Sequence, residues 1–532
     1  MTAWIAHENF LLLIGASVTM PALPLRAHPS FEGVLPGESA AGEGWSTAPA
    51  TARLTGMDIA IVGGGAATVA LLDTLAAIAD GPATVTVFEP SARLWRGRPY
   101  GPDLDTVLVN SPPALMSIRH ADFGHYAAWL GERGASHLDE LLGQPLVPRA
   151  LYGGYLEHTA EAAIAALRER EVTVRVIGRR VTAIARAGER LVLRTDDGRA
   201  HEADRVTLCV GGGPPHDHYG LGGATGFVAD PYPLARTLDR IPARSPVAVI
   251  GSGLTAVDVV VSLAARGHTG PISLVSRTGL LPHVWQRPLD RRPRQVTVDR
   301  VTALHRGNGT VTLDDLVRLM RSELAETGED FDDVVADLLS AESEPPTERL
   351  RRQLATVDDP ALGRRVLQET AHTVGPLAWR LLPEADRALL WRRSRLASSL
   401  VSPMVPVNAA ILLRLLDSGQ LRVTAGIREI QAAQGGFRLH SAAGTSSADV
   451  VVNAVNPAPH AVPRAAEPLT ASLLAGGLAT AHPDGGLVPA DPRLAVVGDF
   501  AGGGPFITSG IPGVAAQAAR VFPAVSGARR PG

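Results

Sequence analysis

Two glycine-rich turns, each set between an apolar strand pattern and a helical pattern, carry the clearest chemistry in the chain. The first is Asp58-Ile59-Ala60-Ile61-Val62 followed by Gly63-Gly64-Gly65-Ala66-Ala67-Thr68 and an Ala- and Leu-rich run. In that setting the first glycine permits a tight turn and the second lets backbone approach a pyrophosphate, while the helix N-terminus offers unpaired N–H groups. Thr68 stands where a third glycine would ease helix–strand packing. The next apolar run, Ala83 to Phe88, ends in Glu89, and 89 − 63 = 26 residues suits a carboxylate that accepts hydrogen bonds from an adenosine ribose. The alternative is an ordinary tight turn with a solvent-facing glutamate. The second turn, Val247-Ala248-Val249-Ile250-Gly251-Ser252-Gly253-Leu254-Thr255-Ala256, repeats the pattern, but its next strand, Ile272 to Val275, runs into Ser276-Arg277. A guanidinium at that strand end suits the 2'-phosphate of NADP, so the reading favours NADPH over NADH, against a plain surface arginine. A third buried-strand pattern, Leu494 to Val497, ends in Gly498-Asp499, a carboxylate placed to hold the ribityl hydroxyls of FAD or to serve only as a strand-end turn residue. Ile511-Pro512-Gly513 then opens an Ala-rich helix whose N-terminus would face the flavin ring.

Positioning these turns calls for an α/β fold with two Rossmann-like dinucleotide-binding domains, one for FAD and one for NADPH, each with a β-meander, plus a helical insertion. Thr173 to Ile177 and Arg190 to Arg194 are read as meander strands leading through Ala203-Asp204-Arg205-Val206 to the turn Gly211-Gly212-Gly213-Pro214. Leu421 to Thr424 and Phe437 to His440 lead likewise through Ala448-Asp449-Val450-Val451 to Asn456-Pro457-Ala458-Pro459. Apolar residues at helical spacing in Leu313 to Leu339 and Glu348 to Leu396 predict an amphipathic insertion over about 300–400. The expected boundaries are 57–235 for the first part of the FAD domain, 236–460 for the NADPH domain and 461–532 for the second part of the FAD domain. Residues 1–56 are expected to be a disordered or mis-assigned extension, with translation starting at Met57. Phe10 to Leu25 is apolar but carries Pro21 and Pro24, lacks a basic flank and falls short of the roughly 20 residues a membrane span needs.

Composition removes other classes. All 50 basic residues are arginine, which excludes Schiff-base enzymes, P-loop phosphate lysines and kinase-type ion pairs. The single cysteine, Cys209, excludes an internal disulfide, a CxxC dithiol and an all-thiolate metal site, and its apolar setting predicts a buried structural thiol. A net charge of -3 gives no electrostatic footprint for nucleic acid or an anionic membrane. A cytoplasmic protein acting on a small molecule is expected. His120 and His125 lack a metal-binding helical spacing, His216 and His218 lack a nearby third ligand, and no metal is expected. Arg392, Arg393 and Arg395 read as a solvated helix face, with an acidic-substrate clamp as the alternative.

From about Met57 to Val514 the chain resembles the two-Rossmann flavoproteins grouped with the FAD-dependent urate hydroxylase and the aspartate N-monooxygenase of nitrosuccinate formation, and more distantly the lysine and ornithine N-hydroxylases. The resemblance rests on Arg98-Pro99-Tyr100-Gly101, Val109-Asn110-Ser111-Pro112, Leu115-Met116-Ser117, Pro148-Arg149-Ala150-Leu151-Tyr152-Gly153 with Tyr155, and Asp230-Pro231-Tyr232. It continues through Gly267-His268, Gly270-Pro271-Ile272, Ser276-Arg277 and Gly279-Leu280-Leu281-Pro282. It implies FAD held by Gly63, Gly65, Ala66, Glu89, Asp499 and Ile511, with Asn110, Met116 and Pro512 near the isoalloxazine ring, and NADPH held by Gly251, Gly253, Thr255 and Arg277. The chain departs from the pattern at Thr68, at Asn453 to Pro457, where the family has a Thr-Gly pair before proline, and through 300–405. The implied activity is an NADPH- and FAD-dependent monooxygenase acting with dioxygen, through a flavin C4a-(hydro)peroxide, on an amine nitrogen or an electron-rich ring. The alternatives are an NAD(P)H-dependent flavoprotein dehydrogenase or reductase without oxygen insertion, and a non-catalytic flavin-binding protein.

Overall fold

The strands that lead into the two glycine turns are buried without alternation, Met57–Val62 over its last four positions and Val247–Ile250 throughout, as central strands covered on both faces must be. In the computed structural model, which describes residues 52–505 and 510–521, each lies in the middle of a five-stranded, wholly parallel sheet. The first sheet has the order Leu494–Val496, Arg205–Leu208, Met57–Val62, Ala83–Phe88, Val172–Ile177. The second has the order Phe227–Val228, Val450–Asn453, Val247–Ile250, Ile272–Val275, Leu421–Thr424. Both follow one plan, the Rossmann-like α/β arrangement expected: a glycine-turn strand at the centre, the strand ending in Glu89 or Arg277 on one side, and a returning strand on the other. Leu494–Val496 completes the first sheet only after the second unit has been built, so the first unit is discontinuous in sequence.

The meanders differ from expectation in their membership. Val172–Ile177 and Leu421–Thr424 are outer strands of the parallel sheets, pairing with Ala83–Phe88 and Ile272–Val275. An edge strand is covered unevenly, so its burial varies along its length and mimics a meander strand. The antiparallel meanders are Val181–Ala187, Arg190–Thr195 and Ala200–Ala203 in the first unit, and Ile427–Ala433, Gly436–Ser441 and Gly444–Ala448 in the second. A register shift falls between Val181 and Ala183 in one and between Ile427 and Glu429 in the other, so the duplication extends to the position of a bulge.

Eight helices, from Val298–Asn308 to Ser394–Val401, form the insertion; most surround a core of their own that includes Val301, Leu316, Met320, Phe331 and Val366, while Leu350 of Pro346–Ala355 packs into the core of the second sheet unit. Local signals set their starts: Thr297 caps Arg300 N, and Thr312 with Asp315 closes a reciprocal capping box. Ahead of Met57, Ala52–Arg53 pairs with Ala79–Asp80 and Leu54 is fully buried in the first core, so the fold includes the end of the segment expected to be an extension. Burial of an apolar side chain is what ties that segment down. The rest of that segment, 1–51, lies outside the described residues. No helix among the described residues is long and apolar enough to cross a membrane.

Candidate dinucleotide sites

Both glycine turns have the geometry that only glycine sustains. Gly63 has a φ of 110°, and a Cβ there would lie 2.3 Å from the Cys209 carbonyl oxygen. Gly64 N donates to Glu89 Oε2 at 2.7 Å, and Ser91 N donates to Glu89 Oε1 at 2.7 Å, so the carboxylate is fixed against the turn. Gly65 occupies the N-cap of Ala66–Ile78, with Ala66 as first helical residue. Thr68 is fully buried and its hydroxyl donates to Gly63 O at 2.6 Å, so the departure from a third glycine is absorbed by a bond across the turn. Cys209 is buried beside it, and burial pushes its thiol up to about 12, as an inert structural thiol requires.

The C-terminal strand brings Asp499 to the same edge. Gly212 N, in the Gly/Pro turn after Arg205–Leu208, donates to Asp499 Oδ2 at 2.9 Å. Asp499 Oδ1 is buried and has no partner among the described residues. Gly498 N donates to Gln517 Oε1 at 2.7 Å, fastening the helix Ile511–Val521 to the strand end; Ile511 is buried and Pro512 half-buried at its start. Asn110 is held by its backbone, whose carbonyl accepts Trp285 Nε1 at 2.6 Å, while its Oδ1 is buried without a partner among the described residues. Met116 instead packs into the first core, and its carbonyl accepts the Tyr152 hydroxyl at 2.8 Å. A buried acceptor left unpaired costs about 1–3 kcal/mol. The unpaired oxygens of Asp499 and Asn110, with the open backbone of the Gly63 turn, fit the hydroxyl and N–H donors and the pyrophosphate of FAD.

On the second sheet Gly251 has a φ of 112°, and a Cβ there would meet the Ala454 carbonyl at 3.0 Å. Gly253 caps Leu254–Ala265, and the buried Thr255 donates its hydroxyl to Asn456 Oδ1 at 3.2 Å. Asn453 Nδ2 donates to His216 O at 3.1 Å, so the asparagines that depart from the family pattern tie this turn to the loop leaving the first unit. Arg277 is exposed at the end of Ile272–Val275 and makes no ion pair to a carboxylate among the described residues. His218 lies near it and against His216, with ring centroids 4.8 Å apart; burial, His216 and Arg277 lower its pKa. His125 Nδ1 lies 2.8 Å from the Tyr155 hydroxyl, a structural contact.

Three residues that join the two units carried no role in the sequence reading. Arg149, at the start of Arg149–Glu169, directs Nη2 to Asp258 Oδ2 at 2.7 Å, Nη1 to the Tyr232 hydroxyl at 3.1 Å and Nε to Leu108 O at 2.9 Å. Tyr232 in turn donates to Asp258 Oδ2 at 2.5 Å. Burial opposes the Arg149 charge, but Asp258 and Tyr232 more than offset this and hold the guanidinium protonated. The signal was available: Asp258 is the one charged residue in the otherwise apolar Leu254–Ala265. The insertion also reaches the loop that follows Asp499. Trp379 Nε1 donates to Gly503 O at 2.9 Å, His460 Nε2 donates to Gly504 O and Pro505 O at 3.2 Å each, and Trp391 lies 6.4 Å from Trp379 and 6.3 Å from His460 between ring centroids.

Residues 60–213 match a protein family described as FAD-NAD(P)-binding, which assigns the dinucleotide class of cofactor to the first unit. Proteins of Mycobacterium bovis and Mycobacterium tuberculosis, described only as uncharacterised, are 25% identical over 339 residues, 53% of this chain. The chain spans 62% of the length of these curated relatives. Among solved structures, L-lysine 6-monooxygenase from Pseudomonas syringae superposes with a TM-score of 0.51 at 17% identity, covering 88% of this chain and 99% of that one, which shows the shared fold. The ornithine N-hydroxylase of Kutzneria sp. 744 gives 0.47 at 14% identity, over 88% of this chain and 98% of that one.

Proposed function

We propose that the chain is an NADPH- and FAD-dependent monooxygenase that uses dioxygen to oxygenate a small nucleophilic substrate, an amine nitrogen or an electron-rich ring, in the cytoplasm and in secondary or nitrogen metabolism. The observation that carries this reading is the pair of matched parallel-sheet units whose glycine turns are alike and whose next strands end in opposite charge, Glu89 in one and Arg277 in the other. Bound FAD supplies the electron transfer and oxygen activation that no side chain provides. The resemblance to the urate hydroxylase and aspartate N-monooxygenase group supports insertion of oxygen over plain dehydrogenation.

The chain's own residues bind, orient and exclude water. Gly63, Gly65 and Ala66 present backbone to the FAD pyrophosphate, Glu89 takes the ribose, and Asp499 takes the ribityl hydroxyls with the oxygen it keeps free. Asn110 and the helix start at Ile511 and Pro512 line the ring, with Met116 supporting them from the core. Gly251, Gly253 and Thr255 shape the NADPH turn, and Arg277 grips the 2'-phosphate. Trp379, Trp391 and His460 close over Gly503–Pro505 and keep water from the reacting atoms.

Replacing Arg277 by Ala is expected to raise the KM for NADPH about tenfold, one charge-assisted contact of roughly 1.5–3 kcal/mol partly screened by solvent, and to leave NADH nearly unchanged. Equal effects on both would remove the phosphate role. Asp499→Ala is expected to weaken FAD about tenfold to a hundredfold by the same energy range, read by fluorescence titration of the apoprotein. Unaltered affinity would return Asp499 to a turn residue. Exchange of the 298–401 insertion for that of a relative is expected to alter substrate range while FAD stays bound; an unaltered range counts against the insertion as the substrate cover. The function itself is tested by following NADPH and oxygen consumption with aspartate, other amino acids, diamines and urate. Stoichiometric oxygenated product is expected, whereas substrate oxidation that persists without dioxygen would make the chain a reductase.

A further inference from the structure

The first core uses phenol rings where other cores use phenyl. Four of the chain's six tyrosines, Tyr100, Tyr126, Tyr152 and Tyr155, lie in or against it. Among the described residues it contains no phenylalanine, whereas Phe88, Phe331, Phe437 and Phe500 sit in other cores. Spacing sets the arrangement. Tyr126 and Trp129 lie three apart on His125–Leu130, and Tyr152 and Tyr155 three apart on Arg149–Glu169, so each helix puts two rings on one face. The rings form an unbroken series, with centroids 4.6 Å apart from Tyr100 to Tyr152, 5.4 Å from Tyr152 to Tyr155 and 5.5 Å from Tyr155 to Trp129. Tyr126 bridges it, 5.0 Å from Tyr152 and 4.8 Å from Tyr155. Packing alone does not ask for hydroxyls here. That of Tyr126 is buried with no partner among the described residues, a penalty that phenylalanine would avoid.

The two ends of the series differ from its middle. Tyr126, Tyr152 and Tyr155 are buried, whereas Tyr100 and Trp129 are half-buried. Tyr100 stands at the candidate flavin end, where burial and then the opposed charges of Arg149 and Asp499 act on its phenol. Trp129 stands at the outer end, its ring 6.3 Å from that of the exposed His158 and 5.0 Å from the Arg133 guanidinium above it. Within the series, Tyr155 is the phenol paired with a base. Ile118 N donates to its oxygen at 3.1 Å, and His125 Nδ1 lies 2.8 Å away as acceptor for its hydroxyl. Burial and Arg119 lower the pKa of His125, so its imidazole is neutral at neutral pH and can take a proton. Tyr152 donates instead to the Met116 carbonyl, which cannot.

We infer that these rings are a one-electron relay between the candidate flavin site and the protein surface, with Tyr155 and its proton acceptor His125 as the place where the oxidising equivalent rests. Phenol and indole rings give up one electron more readily than phenyl or aliphatic side chains, and rings in contact pass the vacancy on. A one-electron oxidant at the inner end, either a photoexcited isoalloxazine ring or a hydroxyl radical that becomes hydroxide, takes an electron from Tyr100. The vacancy passes through Tyr152, and both phenols keep their protons. At Tyr155 the electron leaves while the phenol proton moves to His125 Nδ1, giving a neutral tyrosyl radical beside an imidazolium. A thiolate or ascorbate anion in solvent then gives one electron through Trp129, and the proton returns to Tyr155. The net change is one electron from that reductant to the oxidant, with every bond of the chain restored. The Arg133 cation disfavours a positive radical on Trp129, so the equivalent settles on Tyr155. The relay rests on the proposed FAD site for its inner end alone.

The test oxidises the purified full chain from both ends. From outside, azide radical made by pulse radiolysis in the dark oxidises accessible indoles, Trp129 among them. The indole radical band is expected to decay as a tyrosyl band grows, at a rate independent of protein concentration, and freeze-quenched samples are expected to show a neutral tyrosyl radical by electron paramagnetic resonance. Tyr155→Phe and, at the half-buried end where folding is least at risk, Trp129→Phe are each expected to remove most of that signal. His125→Gln is expected to slow its growth several-fold, and an equal rate would overturn the role of His125 as proton acceptor. From inside, Tyr100→Phe is expected to lengthen the excited-state lifetime of bound flavin several-fold. A tyrosyl signal unaltered in both Tyr155→Phe and Trp129→Phe, or one whose growth scales with protein concentration, would overturn the relay. An unchanged lifetime in flavin-loaded Tyr100→Phe would overturn its link to the flavin site, whereas ring-to-ring transfer in a chain that binds no flavin would sustain the relay and overturn the FAD assignment.

Discussion

Asp258→Ala is expected to lower the unfolding free energy by about 3–5 kcal/mol, the cost of breaking a buried ion pair and leaving one charge behind. The residue left behind is Arg149, only 14% exposed at its side chain, whose Nη2 would lose its carboxylate while Nε kept the Leu108 carbonyl. The loss is larger than a surface pair gives because Asp258 itself is fully buried. Removing both charges together, as Arg149→Met with Asp258→Leu, is expected to recover most of that loss, since the penalty lies in the unpaired ion and not in the absence of the pair. Urea unfolding of the two variants and wild type separates these terms. A shift below about 0.5 kcal/mol for Asp258→Ala, the range of an ordinary surface substitution, would mean that the contact between the units does not depend on this pair.

Gly63→Ala is expected to yield protein without flavin. A side chain at Gly63 is disfavoured twice: the left-handed φ of 110° is a conformation that L-residues avoid, at roughly 1–2 kcal/mol, and the new Cβ would lie 2.3 Å from a backbone oxygen that cannot rotate away. Either the turn or the strand Arg205–Leu208 must move, and Asp499 is positioned by the turn that follows this strand. Gly253→Ala is the matched control, because a Cβ there meets nothing within 4 Å. It is expected to leave folding and flavin content intact. The ratio of flavin to protein absorbance in the purified variants reads the difference, and full flavin content in Gly63→Ala would show that the turn does not carry the pyrophosphate.

The parts of the fold legible in the sequence are those set by local pattern. The two glycine turns, the strands around them and the insertion's helices all follow from runs of apolar residues and their punctuation. Val172–Ile177 and Leu421–Thr424 were misplaced because an unevenly covered edge strand of a parallel sheet and a meander strand share the same periodicity; only the pairing distinguishes them. Thr68 looked like a defect in a glycine motif, yet its hydroxyl bonds to Gly63 O, a compensation visible only once the turn is closed. Arg149, Tyr232 and Asp258 lie far apart in sequence, and their meeting depends on how one unit packs on the other. Asp258 alone left a trace, as a carboxylate inside an apolar helix. The contacts of Trp379, in the insertion, and of His460, in the turn after Val450–Asn453, left none, since a tryptophan in a helical region reads equally well as core and a histidine in a turn as surface.

The absence of lysine acquires a structural meaning here. Every cation placed at a dinucleotide or unit junction, Arg149 and Arg277 included, is a planar guanidinium that can serve a carboxylate or phosphate through two donors. In the proposed assignment the glycine turns recognise phosphate through backbone, which needs no side-chain amine.

The most direct test of the account is anaerobic mixing of the purified full chain with NADPH while the flavin absorbance is followed. Bound FAD whose oxidised band bleaches with NADPH, faster than with NADH, and returns when dioxygen is admitted is the expected result. A preparation that binds no flavin after reconstitution, or one whose flavin NADPH never reduces, would contradict the assignment of the two glycine turns to FAD and NADPH.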